Sequence, residues 1–199
     1  MNIFVTGTDT DVGKTTIAVW ICRWVGVAYW KPIQTGNTRD SETVKTLSPH
    51  TKIIDEVYRL SVPLSPYDAA KIDNISIDEE LLKRRIDNTV IEGAGGILVP
   101  IKVGFHMVDL LKLYNARTIV VARSKLGVIN HILMTMEILK ARNIDILGII
   151  INGQMEENIK QTIELFSGSK ILAHIPHGDD LKEMLRSVRV PSEISEVFR

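Results

Sequence analysis

Lys14-Thr15-Thr16 closes a stretch that begins Gly7-Thr8-Asp9-Thr10-Asp11-Val12-Gly13, directly after the apolar residues Ile3-Phe4-Val5. Residues of these types at this spacing are equipped to hold a nucleoside triphosphate. Backbone N–H groups in a glycine-bounded loop point at phosphate oxygens. A helix beginning near Gly13 adds the positive end of its dipole, and Lys14 reaches the β- and γ-phosphates. Thr15 supplies the small hydroxyl that a magnesium ion takes as a ligand. Five residues separate Gly7 from Gly13, one more than the common P-loop spacing. The competing interpretation is a Gly- and Thr-rich turn with a chance lysine, and the order strand, loop, Lys-Thr-Thr argues against it.

The elements that must position this loop alternate between strand and helix. Asn2–Thr6 has the pattern of a short strand, and Thr15–Val25 that of a helix with Ile17, Trp20, Ile21 and Trp24 on one face. Val27–Lys31 is a second strand, stopped at Lys31-Pro32 because proline holds the preceding residue extended. Further strands are expected at Thr89–Glu92, Arg117–Ala122, Ile146–Asn152 and Ile171–Ile175, with helices at Val128–Arg142 and Glu157–Phe166. The stretch 49–77 carries the weakest pattern. Continuous apolar strands separated by helices imply an α/β fold: a mostly parallel sheet, helices on both faces, of the P-loop NTPase kind, in one domain over residues 1–199.

In such a sheet the ligand-binding residues cluster just past the C-terminal ends of the strands. Lys31 and the run Glu92-Gly93-Ala94-Gly95-Gly96 fall there, as does Asn152-Gly153. A carboxylate at a strand tip beside Thr15 is the usual second anchor for magnesium, and the glycines after Glu92 let backbone approach a substrate.

Composition narrows the partners. The 24 basic and 24 acidic residues cancel, which argues against an extended nucleic-acid or membrane surface. No apolar run reaches the ~20 residues of a membrane span, and the chain enters its first strand without a leader. Cys22 is the one cysteine, set in an apolar helix pattern, so it is expected as a buried thiol in a reducing, cytoplasmic setting. His131 has no His or Cys at ligand spacing and is not expected to hold a metal.

The segments Gly7–Thr15, Lys31-Pro32-Ile33-Gln34-Thr35-Gly36, Glu92–Gly96 and Leu126-Gly127-Val128-Ile129-Asn130-His131 together resemble the dethiobiotin synthetase family. The agreement runs in order from the first strand to about Asn152, and the extra P-loop residue is part of the family pattern. The resemblance implies an ATP-dependent ligase that makes dethiobiotin from 7,8-diaminononanoate and CO2, with ATP as co-substrate and Mg2+ as cofactor. The route would run through a carbamate and a carbamic-phosphoric anhydride. It also implies a homodimer whose substrate site lies at the interface.

Carried over by position, the resemblance makes Lys31 and Lys14 the catalytic lysines. Thr15, Asp40 and Glu92 become the magnesium ligands, with Glu42 or Asp11 as alternatives to Asp40, and helix capping as another role for Asp40. The nucleotide would meet Asp11, Val12, Gly13, Lys14, Thr15 and Thr16 in the loop. Asp40, Glu92, Gly93, Ala94 and Gly95 would lie beside the phosphates, and Asn152, Pro176 and His177 around the base. His177 stands where an aromatic is expected, and Gly153 follows Asn152, so base selectivity is the point of departure from the family. Substrate would contact Thr10, Lys31 and Thr35, with Gly127 and Asn130 at a helix start taking its carboxylate. Residues 61–73 would lie along its aliphatic chain. A partition-type ATPase switch shares this fold but places a second lysine five residues before the P-loop lysine. Asp9 stands there.

Overall fold

The computed structural model describes residues 1–176 and 181–199. Strand β1 (Asn2–Gly7) is buried along its whole length, and the chain leaves it through the glycine-bounded loop into helix α1 (Lys14–Val25). Gly13 and Gly26 bracket α1 in left-handed conformations, and the Gly26 N–H closes the helix on the Cys22 carbonyl. The chain then runs through β2 (Ala28–Trp30), β3 (Ile33–Thr35), α2 (Asp40–Leu47), β4 (Ile53–Ile54) and β5 (Tyr58–Leu60). Next come α3 (Pro66–Ile72) and α4 (Glu79–Leu82), the long strand β6 (Thr89–Gly96), a hairpin of β7 (Pro100–Lys102) and β8 (Phe105–His106), and α5 (Met107–Lys112). The C-terminal half is β9 (Ala116–Arg123), α6 (Val128–Ala141), β10 (Ile146–Asn152), α7 (Glu157–Ser167) and β11 (Ile171–Ile175). It ends in α8 (Leu181–Ser187), α9 (Ser192–Ser195) and a 3-10 turn (Glu196–Phe198).

The main sheet is parallel throughout its seven strands, ordered β11-β10-β9-β1-β6-β2-β4. The two-residue alternation of each strand divides the core. Phe4, Trp30, Ile91, Val120 and Ile151 join the layer covered by α5 and α6. Ile3, Val5, Tyr29, Val90 and Val121 join the layer covered by α1 and the C-terminal segment. Strands after β1 are added on one side through β6, β2 and β4, and on the other through β9, β10 and β11. The reversal falls at β1, so the loop after it opens into the crevice where parallel sheets bind ligands.

Several sequence expectations are corrected here. The residues Gly93–Gly96 are not a turn after a strand. They are the end of β6, which after a register shift brings Gly96 opposite Gly7. The weakly patterned middle supplies the edge strand β4, too short to announce itself by periodicity. Trp24 does not share the burial of Ile17, Trp20 and Ile21. It is 42% exposed, at the margin of α1, with its indole N–H donating to the Leu185 carbonyl. Among the described residues, no helix is long and apolar enough to cross a membrane.

Candidate active site

Five side chains from four different elements meet at the C-terminal edge of the sheet, and burial forces them to satisfy one another. Glu92, on the α1 face of β6, is 1% exposed. Its Oε1 accepts a hydrogen bond from the Thr15 hydroxyl at 2.8 Å, and Lys31 Nζ stands 3.3 Å from the same oxygen. Its Oε2 accepts from the Tyr29 hydroxyl at 2.8 Å. Asp40, the first residue of α2, completes the group as an ion-pair partner of Lys31. A buried carboxylate without such partners would be strongly unfavourable.

The two lysines respond in opposite directions. Burial lowers the pKa of Lys14, opposed only in part by Glu92, and Lys31 pushes the same way as burial. Burial also pulls on Lys31, but Glu92 and Asp40 together outweigh it and raise that ammonium above the ordinary lysine range. Both side chains are nearly inaccessible, with Lys14 at 7% and Lys31 at 6% exposure. The site therefore holds two buried lysines beside two carboxylates, with Lys31 favoured in its charged form and Lys14 less so.

The loop that carries Lys14 is held from two sides. Lys14 Nζ donates back to the Asp9 carbonyl at 3.0 Å. From the tip of β10, the Asn152 side-chain amide donates to the Val12 carbonyl at 3.0 Å. Gly13 has φ +97°, and a Cβ there would fall 2.1 Å from Asn152 Nδ2, so only glycine fits between that brace and the helix start. Asn152, expected at the base, thus stands against the phosphate loop.

A cleft of about 840 Å3 opens over these residues. Of the sequence-predicted positions, Thr10, Asp11, Gly13, Lys14, Thr15 and Thr16 line it from the loop. Lys31, Thr35 and Asp40 line it from the β2 side, Glu92, Ala94 and Gly95 from β6, and Asn152 from β10. Val12 is buried beneath the loop and Gly93 packs on the Phe4 ring, neither facing the cleft. Gly127 and Asn130 lie outside it on exposed surface, and Pro176 is half-buried away from it. His177 lies outside the described residues.

Sequence reasoning passed over several contributors. Gln34 is 4% exposed and organises the turn that delivers Asp40. Its amide donates to the Thr35 and Thr38 carbonyls, and its Oε1 accepts from the Asp40 N–H. Its signal was its place inside Lys31–Gly36. Tyr29 gave none, because an aromatic in a strand reads as core. Of the segment 61–73 that the resemblance set along the substrate, Pro63, Leu64, Ser65 and Pro66 form the far wall, where Ser65 caps α3 by accepting from the Asp68 N–H and Pro66 starts the helix. Arg123, exposed at the end of β9, brings a further cation to the rim.

Thr15 Oγ1 and the carboxylates of Asp40 and Glu92 form a hard-oxygen donor set of the kind magnesium prefers. Both carboxylates already converge on one cation, the Lys31 ammonium. The residues present therefore fit a divalent ion.

Residues 1–184 match the family model described as an AAA domain. The chain is 45% identical over 178 residues to the ATP-dependent dethiobiotin synthetase BioD of Paramagnetospirillum magneticum, covering 87% of each chain. It is 38% identical over 203 residues to the enzyme of the same name from Lawsonia intracellularis, covering 100% of this chain and 99% of that one. Among solved structures it resembles a ParA family ATPase from Chlorobium tepidum, with a TM-score of 0.58 at 16% identity over 98% of this chain and 92% of that one. The MinD cell division protein of Aquifex aeolicus also gives 0.58, at 14% identity over 92% and 85%. These two likenesses show a shared P-loop fold. With near full-length identity to the curated enzymes, and with both lysines, the threonine and both carboxylates gathered in one cleft, the chain belongs to the ATP-dependent dethiobiotin synthetase family of ligases.

Proposed function

We propose that this chain closes the cyclic urea of dethiobiotin from 7,8-diaminononanoate, CO2 and ATP, releasing ADP and phosphate. One observation carries the proposal. Lys14, at the start of α1, and Lys31, past the end of β2, enter a single cleft with Thr15, Asp40 and Glu92, and that cleft continues past Thr35 to the Pro63–Pro66 wall. A nucleotide switch of this fold takes its second lysine from the phosphate loop, where Asp9 stands here, and accounts neither for a buried lysine arriving from the end of β2 nor for the extension.

The chemistry proceeds in three balanced steps. One amine attacks CO2 and loses a proton, giving a carbamate. A carbamate oxygen displaces ADP from the γ-phosphorus, giving a carbamic-phosphoric anhydride. The second amine attacks the anhydride carbonyl, loses its proton and expels phosphate as the ring closes. Lys14 holds the phosphates in line. Lys31, kept protonated by Glu92 and Asp40, faces the carbamate and the γ-phosphate oxygens as charge passes between them. The hydroxyls of Thr10 and Thr35 orient the amines. Thr15, Asp40 and Glu92 are the residues that would hold magnesium, which would supply neutralisation of phosphate charge. Asn152 spends one N–H on the Val12 carbonyl, and its second N–H and Oδ1 are the groups it would offer to the base.

The active unit in this proposal is a cytoplasmic homodimer. Gly127 and Asn130 are exposed at the start of α6, beside a fully exposed Leu126. Their place is over the cleft of a second copy, where the helix N–H groups receive the substrate carboxylate.

Incubation with ATP, Mg2+, labelled bicarbonate and 7,8-diaminononanoate tests the proposal. The expected result is ADP and acid-stable labelled product in equal amounts, both dependent on the diamine. ADP release indifferent to the diamine would instead favour a nucleotide switch.

A further inference from the structure

Glu92 uses its two oxygens differently, and Tyr29 is the reason. Tyr29 is fully buried in β2, opposite Val90 of β6 and Ile53 of β4, so strands flank it on both sides. It shares the α1 face of the sheet with Glu92, two positions further along β6, a diagonal that an aromatic side chain can span. Its hydroxyl donates to Glu92 Oε2 at 2.8 Å, which leaves Oε1 toward Thr15 Oγ1 and Lys31 Nζ. A carboxylate only accepts, so in this bond the phenol is the donor.

We propose that Tyr29 is a positioning residue for the divalent cation: by fixing Oε2 of Glu92 it presents Oε1 as a single, oriented donor beside Thr15 Oγ1. The inference rests on the assignment of Thr15, Asp40 and Glu92 to magnesium. Groups that hold a ligating carboxylate in place govern metal affinity as well as geometry, and losing one typically costs roughly 10–100-fold in affinity. A bond that only satisfied a buried pair would contribute to stability and leave metal binding alone.

Mn2+ binding to the full chain in the presence of ADP, followed by electron paramagnetic resonance, separates these roles. Tyr29→Phe keeps the ring and is expected to weaken Mn2+ binding roughly tenfold. Trp30→Phe, which removes a neighbouring indole bond to the Asp55 carbonyl, should destabilise the fold and leave Mn2+ affinity unchanged. Replacing Tyr29 with 4-aminophenylalanine, a weaker para donor, should give an affinity below the wild type and above Tyr29→Phe. That variant keeps the test open if Tyr29→Phe does not fold. If both donor-altering variants bind Mn2+ like the wild type while Glu92→Gln loses it, the role of Tyr29 is overturned alone. If Glu92→Gln also binds normally, the metal assignment falls with it. Equal weakening in Tyr29→Phe and Trp30→Phe would likewise overturn the inference, because the effect would then belong to the strand.

Discussion

At the phosphate corner, Lys14, Lys31 and Glu92 are each more than nine-tenths buried, and every charge has a partner within the chain. At the start of α6, on the same edge of the sheet, Leu126, Gly127 and Asn130 are exposed, and among the described residues the Asn130 amide has a 4.0 Å approach to the Met134 sulfur. Buried ions must be paired where they lie, so the first corner is organised by the chain itself. Exposed groups face no such requirement. The first corner is thus satisfied within the chain, and under the proposed function the α6 corner is the part that a second copy would complete.

Charge removal at the first corner should have the largest effect. Lys14→Ala is expected to abolish nucleotide-dependent turnover. Lys31→Ala should keep ATP binding, by calorimetry, while turnover falls roughly 10²–10³-fold, the scale for losing one preorganised electrostatic contact. A Lys31→Ala enzyme of near-normal rate would remove that residue from the chemistry.

The second corner should respond in association instead. Leu126→Asp is expected to weaken self-association by about 1–2 kcal/mol, read by sedimentation, and to raise KM for the diamine without moving ATP affinity. Loss of ATP affinity in this variant would mean that the two corners are not separable.

A smaller effect is expected where the sheet braces the loop. Asn152→Ala removes one hydrogen bond to the Val12 carbonyl, worth about 1 kcal/mol, and should weaken ATP binding roughly fivefold. A collapse of ATP over GTP preference with little loss of affinity would instead place Asn152 at the base.

The smallest effect is a pH dependence. Lys31 binds its proton more tightly folded than unfolded, so its pairing stabilises fully below the unfolded value of about 10.4. That stabilisation is lost as pH rises through the folded value. Urea unfolding of wild type and Lys31→Met should differ by a constant amount from about pH 8 to 10 and converge above. A gap independent of pH would mean that the pairing contributes nothing to stability.

Much of this architecture was legible before folding. Ile3-Phe4-Val5 followed by Gly7–Thr16 implied the strand, loop and helix order, because an apolar run and a left-handed glycine each permit few conformations. Cys22 lies buried as its helix pattern implied. Lys31 stands past the end of β2 because Pro32 ends the strand. Tyr29 was not legible, since it reads as core, and Gln34 showed only as a member of the Lys31–Gly36 segment with nothing to give it a role.

The sequence by itself determined six of the seven sheet strands with α1, α6 and α7 between them, the parallel sheet, the phosphate loop and the family, because these follow from local pattern and chain order. Tertiary structure decided which oxygen of Glu92 faces Thr15, that Asn152 braces Val12, and that Gln34 delivers Asp40. Those pairings join residues as far apart as 140 positions, and they arise because groups withdrawn from water must find their partners among whatever the fold brings beside them.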